Sequence, residues 1–209
     1  MTYLPEFLTV VVVHLLAVMS PGPDFVMISR SSLVYSRRTG IWSAAGLGLG
    51  ILVHVTYCLV GIALVVARSP LLFSLLKFAG AGYLVYIGLK SLRARPAATP
   101  RAGDGNQGHL SVLAAVRLGF LTNVLNPKAT LFFFALFTQV INPGTPRWVQ
   151  GLYGAEMSLM TFAWFALVAT ALSHPAVKAR FVALQPRLER VFGVILVGLG
   201  VKVALFSHR

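Results

Sequence analysis

Apolar residues run almost unbroken from Phe7 to Met19, with only His14 interrupting, and the run resumes at Phe25-Val26-Met27-Ile28. Between the two pieces stand Ser20-Pro21-Gly22-Pro23-Asp24. Each proline removes a helix donor and clashes with the preceding turn, and Gly22 adds permissive backbone. The pattern predicts a first span from about Leu4 to Tyr35 that is broken in its middle. Broken backbone in lipid must line a cavity or be covered by protein, and a carboxylate at that depth marks a functional site. The plainer alternative is a loop between two short helices at the membrane surface, because the apolar run before the break is short for a full span.

Five further apolar runs follow. The second covers Ile41 to Ala67 and carries Gly46 and Gly50, a small-residue spacing that lets helices approach closely. These two glycines are therefore expected to be helix-packing residues. The third run covers Leu71 to Leu92. Arg93 to His109 is polar and rich in Pro and Gly, as a flexible linker would be. The fourth run covers Ser111 to Val140 and is interrupted at Asn126-Pro127-Lys128. A turn at Asn142-Pro143-Gly144-Thr145-Pro146 leads to the fifth run, Val149 to Leu172. A basic connector from Ala176 to Glu189 precedes the sixth, Arg190 to Phe206.

The breaks at Pro23-Asp24 and Pro127-Lys128 fall at matching places in the two halves. So do Gly88-x-Lys90 and Gly200-x-Lys202. An odd number of spans per half turns the second half upside down relative to the first. Paired, Pro-interrupted spans in inverted halves point to a transporter binding site. The expected fold is a single all-α integral membrane domain of about six helices, with repeat one over 1–93, a linker over 94–109 and repeat two over 110–209.

Composition narrows the class. A chain with 57% hydrophobic and 11% charged residues and a mean hydropathy of +0.80 is a membrane protein. The net charge of +13 does not imply nucleic acid, because the basic residues sit in short connectors. Arg30, Arg37 and Arg38, then Arg93, Arg95 and Arg101, then Lys178, Arg180 and Arg187 outnumber Arg68, Arg147 and Arg209 on the other side. That asymmetry predicts cytoplasmic connectors one, three and five, with both termini outside. The lone Cys58 excludes an internal disulfide, and the N-terminus reads as working structure rather than a cleavable signal.

Ser20-Pro21-Gly22-Pro23-Asp24 resembles the first-span signature of the LysE/RhtB family of bacterial amino-acid exporters. Arg38-x-Gly40, followed by Gly46 and Gly50, resembles its second-span pattern, and Thr122-Asn123-x-x-Asn126-Pro127-Lys128 its fourth-span signature. The resemblance covers nearly the whole length. It implies proton-driven efflux of amino acids or close derivatives across the bacterial cytoplasmic (inner) membrane, and leaves the substrate open among amino acids such as threonine, homoserine or lysine.

The residues themselves agree with that. Asp24 and Lys128 carry opposite charges at equivalent positions, so together they would neutralise the ammonium and carboxylate of a zwitterion. Asn123 and Asn126 can donate and accept. The opened ends at Pro21, Gly22, Pro23 and Pro127 add free backbone partners. The alternative is that Asp24 and Lys128 pair only with each other as a structural salt bridge. For proton coupling the candidates are Glu156, His54 and Asp24. His54 titrates near neutrality and burial disfavours a carboxylate's charged form, while a hydrogen-bonded packing role is the plainer reading of His54. Lys77 reads as a snorkelling side chain.

No catalytic constellation is recognisable: Ser20, Ser158 and His54 offer no nucleophile–base arrangement. A metal exporter would want several carboxylate or sulfur ligands, where only Asp24 and Glu156 qualify, and a non-transporting membrane protein would not need two broken, oppositely charged helices. The expected partners are a small-molecule solute and the lipid bilayer, with no cofactor, no metal and no nucleic acid. The glycine-faced helices leave a homodimer open.

Overall fold

The first apolar run becomes two helices with a corner between them. Helix α1 spans Leu4–Met19 and α2 spans Pro23–Arg30. Their axes differ by 56°. Pro23 occupies the first helical position of α2, where its missing N–H costs nothing. The chain then widens into one π-helical turn, Ser31–Tyr35, closed by the Ser36 N–H donating to the Ser31 carbonyl at 3.2 Å.

The computed structural model describes residues 3–20, 22–68, 70–93, 110–142 and 144–172, and toward the C-terminus 183–184, 186–187, 190–191, 193–198 and 200–201. Among them every regular element is helical. Helix α3 spans Arg37–Arg68 and starts four residues before the apolar run does. Ser36 explains the early start. Its Oγ accepts from the Thr39 N–H at 3.0 Å, so it caps the helix before the arginines. Helix α4 spans Pro70–Leu92. Helix α5, Val112–Val124, is capped by Ser111, whose side chain accepts from the Ala114 N–H. Helix α6 spans Pro127–Gln139 and lies at 59° to α5. Helix α7 spans Arg147–Ala171.

Helix α3 holds the middle because it can be approached closely on two flanks. A methyl group on Gly46 would strike the Val116 carbonyl of α5, and one on Gly119 of α5 would strike the Ser43 carbonyl of α3. On the other flank a methyl on Gly48 would stand 2.9 Å from the Ser158 carbonyl oxygen of α7, and one on Gly154 2.7 Å from Val55. Ser158 Oγ seals that contact by donating to the Gly48 carbonyl at 2.8 Å. Helices in lipid gain little from burying apolar surface, so close backbone approach and interhelical hydrogen bonds hold them together. Helix α4 meets the C-terminal helical residues in the same way: a methyl on Gly88 would stand 2.7 Å from the Gly193 carbonyl oxygen. At one end of the molecule Glu6 ties α1 to the loop before α7, accepting from the Asn142 N–H at 3.0 Å and from Thr145 Oγ1 at 2.9 Å.

The solvent pattern is inverted relative to a soluble protein. Leu159 and Leu113 are 68% and 67% exposed, while His14, His54, Asn123 and Thr161 are at most 1% exposed. Among the described residues, 37–61 of α3 and helix α7 are each long and apolar enough to cross a bilayer, and the two bent pairs bring the number of such spans to four if each pair is one span. The linker 94–109, most of the connector from Ala176 to Glu189 and the end of the sixth run, with Lys202, lie outside the described residues.

Candidate functional site

The two corners face each other. Pro23 and Pro127 each open a helix at its first position, and each is followed by a charged residue, Asp24 and Lys128. Asp24 thus sits in the first turn of α2, where the helix dipole favours a carboxylate. Asn126 is the N-cap of α6, its Oδ1 accepting from the Lys128 N–H at 3.0 Å. That bond fixes the amide's orientation and turns Nδ2 toward α2, where it donates to Asp24 Oδ1 at 3.0 Å. Asn123, near the end of α5, donates from Nδ2 to Asp24 Oδ2 at 2.8 Å. Both carboxylate oxygens are therefore held from the far side by amides of one helix break.

Lys128 stands at the positive end of its helix and reaches back across the corner. Its Nζ donates to Ser20 Oγ at 2.8 Å, and its charge acts on Asp24. The two charged residues of the breaks are thus near enough to interact, and each also has neutral hydrogen-bond partners. Gly22 lies against the lysine, where a Cβ would make an ordinary contact 3.4 Å from Lys128 Nζ.

These groups line a cavity of about 60 Å³. Ser20, Gly22, Asp24, Asn123, Asn126 and Lys128 form its polar part, and Ile51, Leu84, Phe132, Phe133, Phe165 and Leu196 most of its apolar wall. Of the expected site residues, Asp24, Lys128, Asn123, Asn126 and Gly22 come together here. Pro23 and Pro127 shape the corners from exposed positions outside the wall, and Pro21 lies outside the described residues. The polar lining residues that the sequence did not mark as site residues are His14, Ser20, Tyr83 and Thr161. His14 had a signal, as the polar interruption in the first apolar run.

His54 and Glu156 stand apart from the cavity wall. His54 is buried behind it with both ring nitrogens engaged: Nε2 3.1 Å from the Asn123 carbonyl oxygen and Nδ1 2.7 Å from the Tyr57 hydroxyl. Its ring stacks on Phe133, centroids 5.4 Å apart and planes 7° apart. It therefore buttresses Asn123 from behind. Glu156 is half-buried on α7, and its Oε2 is buried without a hydrogen-bond partner. Gly46 packs α3 on α5 as its spacing implied, whereas Gly50 packs on the site itself. A Cβ at Gly50 would stand 2.7 Å from Asn123 Oδ1.

Over residues 15–207 the sequence matches the family described as LysE type translocator. The chain belongs to this family. Among curated relatives, the translocator is 30% identical over 203 residues to the threonine efflux protein of Escherichia coli strain K12, covering 95% of this chain and 97% of that one. It is 29% identical over 205 residues to the threonine efflux protein of Salmonella typhimurium, with the same coverage. It is 27% identical over 198 residues to the uncharacterized membrane protein YrhP of Bacillus subtilis, covering 90% of this chain and 93% of that one. No solved structure matches the translocator. Membership places the chain in the membrane as a transport protein.

Proposed function

We propose that the translocator exports a small amino acid, threonine or a close derivative, from the cytoplasm across the bacterial inner membrane, with the proton gradient as the driving force. The observation that carries this is the pairing of an amide-held carboxylate, Asp24, with the Lys128 ammonium in one small cavity between two helix breaks. An amino acid has an ammonium for the one and a carboxylate for the other. Among the described residues no three His, Cys, Asp or Glu side chains gather as a metal site would need, so the amino-acid reading is preferred to cation export. Counterflow into proteoliposomes, screened over amino acids and divalent metals, tests it. Exchange of amino acids and not of metals is expected, and metal transport alone would reverse the assignment.

The architecture that goes with this function is six spans in two inverted repeats, 1–93 and 110–209, joined by the linker 94–109. Reporter fusions after Arg101 and after Arg187 should both read cytoplasmic, and one after Pro143 external. The same side for positions 101 and 143 would rule the arrangement out.

For coupling, Glu156 is the proposed proton carrier. An intramembrane carboxylate with a buried, unpartnered oxygen is more easily kept neutral than charged. Glu156→Gln should markedly slow proton-driven efflux while counterflow exchange persists, since the amide cannot carry a proton. Unchanged pH dependence of efflux in this variant would transfer the role to Asp24 or His54.

A further inference from the structure

The cavity is also lined by His14, set against the rings of Phe132 and Phe133. The His14 ring is 1% exposed. Its Nε2 lies 3.1 Å from the Met157 carbonyl oxygen and 3.0 Å from Thr161 Oγ1. A carbonyl oxygen only accepts, so Nε2 carries the hydrogen. A neutral ring then presents Nδ1 as a bare acceptor, and Nδ1 is buried without a hydrogen-bond partner. Phe133 and Phe132 pack against the ring, at centroid distances of 5.6 Å and 6.1 Å, and hold it in place. Buried polar atoms are nearly always satisfied, so an open acceptor on a side chain that lines the cavity needs an explanation.

The surroundings limit what that partner is. Apart from His14, the titratable or charged side chains lining the cavity are Asp24, Lys128 and Tyr83, and the first two belong to its polar part. His54 lies beyond Phe133 with both nitrogens engaged, and Glu156, beside Met157 on α7, does not line the cavity. A charged substrate side chain would thus face Phe132, Phe133 and Phe165 without an opposite charge of its own.

We propose that His14 Nδ1 accepts a hydrogen bond from a hydroxyl on the side chain of the exported amino acid, so that the translocator selects small hydroxylated amino acids over their aliphatic isosteres. This rests on the cavity being the amino-acid site. Threonine and valine are the matched pair, because they differ by a hydroxyl in place of a methyl. A site that hydrogen-bonds a hydroxyl rejects the analogue lacking it far more strongly than an apolar pocket discriminates.

The test is counterflow of threonine and of valine by the full-length protein in proteoliposomes. Wild-type protein should prefer threonine by about tenfold or more. His14→Leu should bring the ratio near one while valine exchange persists, and His14→Gln, which keeps an acceptor, should restore part of the preference. If His14→Leu fails to accumulate, competition in wild-type protein decides. The 3-fluoro analogue of threonine, which keeps the shape but cannot donate, should compete about as poorly as valine. A wild-type preference that survives in His14→Leu, an equal preference for the fluoro analogue, or no preference at all would overturn the role of His14 and leave amino-acid export standing. Absence of exchange with any amino acid would overturn the export reading with it.

Discussion

Asp24→Asn is expected to lower amino-acid export by about two to three orders of magnitude. Asp24 uses both carboxylate oxygens as acceptors, one for Asn123 Nδ2 and one for Asn126 Nδ2. An amide offers one oxygen and turns an NH₂ toward the other donor, so Asn123, whose Oδ1 has no partner, must turn its amide over to keep a bond to position 24. Asn126 cannot rotate to compensate without giving up the cap on the Lys128 N–H. The substitution also leaves the Lys128 charge without the carboxylate it acts on. Removing one member of a buried charge pair costs about 3–5 kcal/mol, and every 1.4 kcal/mol is a factor of ten. Part of that loss will appear as reduced protein in the membrane, so export should be normalised to the amount of folded transporter.

The charge swap, Asp24→Lys with Lys128→Asp, separates a structural pair from a zwitterion site. The net charge is kept, but Lys at position 24 would stand in the first turn of α2, where the dipole disfavours it, and would meet two amide donors. Export should therefore stay low even where the swapped protein accumulates. Near-normal efflux would make the pair structural only.

The second large effect separates two glycines one helical turn apart. Gly46→Ala should strongly reduce the amount of folded protein, because its methyl group meets the backbone of α5 at Val116 and Phe120 and backbone cannot step aside. Overpacking typically costs about 1–3 kcal/mol, and the upper end applies here. Gly50→Ala meets a side chain instead, the Asn123 amide, 2.7 Å from the new carbon. Asn123 Cβ, 2.9 Å away and fixed to α5, makes some loss of folded protein unavoidable, but the larger effect should fall on export, with solute affinity per folded transporter dropping about tenfold or more as a site hydrogen bond is displaced. Quantifying both variants in the membrane alongside threonine counterflow checks this. Equal loss of protein in the two would mean that Gly50 serves helix packing alone.

The broken helices were legible because proline acts locally. Pro23 and Pro127 each dictate a helix start wherever the rest of the chain goes: α2 and α6 begin on them, and α1 and α5 end just before the breaks. Treating the breaks as equivalent put Asp24, Asn123, Asn126 and Lys128 in one expected site, but that both asparagines donate to Asp24 did not follow from it. The way Lys128 reaches Ser20 did not either, since it depends on the angle of each corner.

Facing was the part the chain hid. A helix apolar on all sides has no stripe to show which side looks inward. Nothing in the run from Phe7 to Met19 says that His14, Ala17 and Val18 share the cavity face. In the same way Glu156 stands out as an intramembrane charge, yet Met157 and Thr161 of α7 turn toward His14 while Glu156 lies off the cavity. Small-residue spacing predicted close approach at Gly46 and Gly50 alike, and only the register of α3 on α5 decides that one meets backbone and the other Asn123.

The central claim is that an amino acid occupies the cavity between the two breaks. The chain offers a direct measurement of it, because its single thiol, Cys58, is buried and can be replaced. A lone cysteine placed at Ala129, on the cavity wall beside Lys128, should react with a soluble thiol reagent, and threonine should slow that reaction in a saturable way. The protection should vanish when Asp24→Asn is added. A labelling rate that no exported amino acid alters would contradict the account.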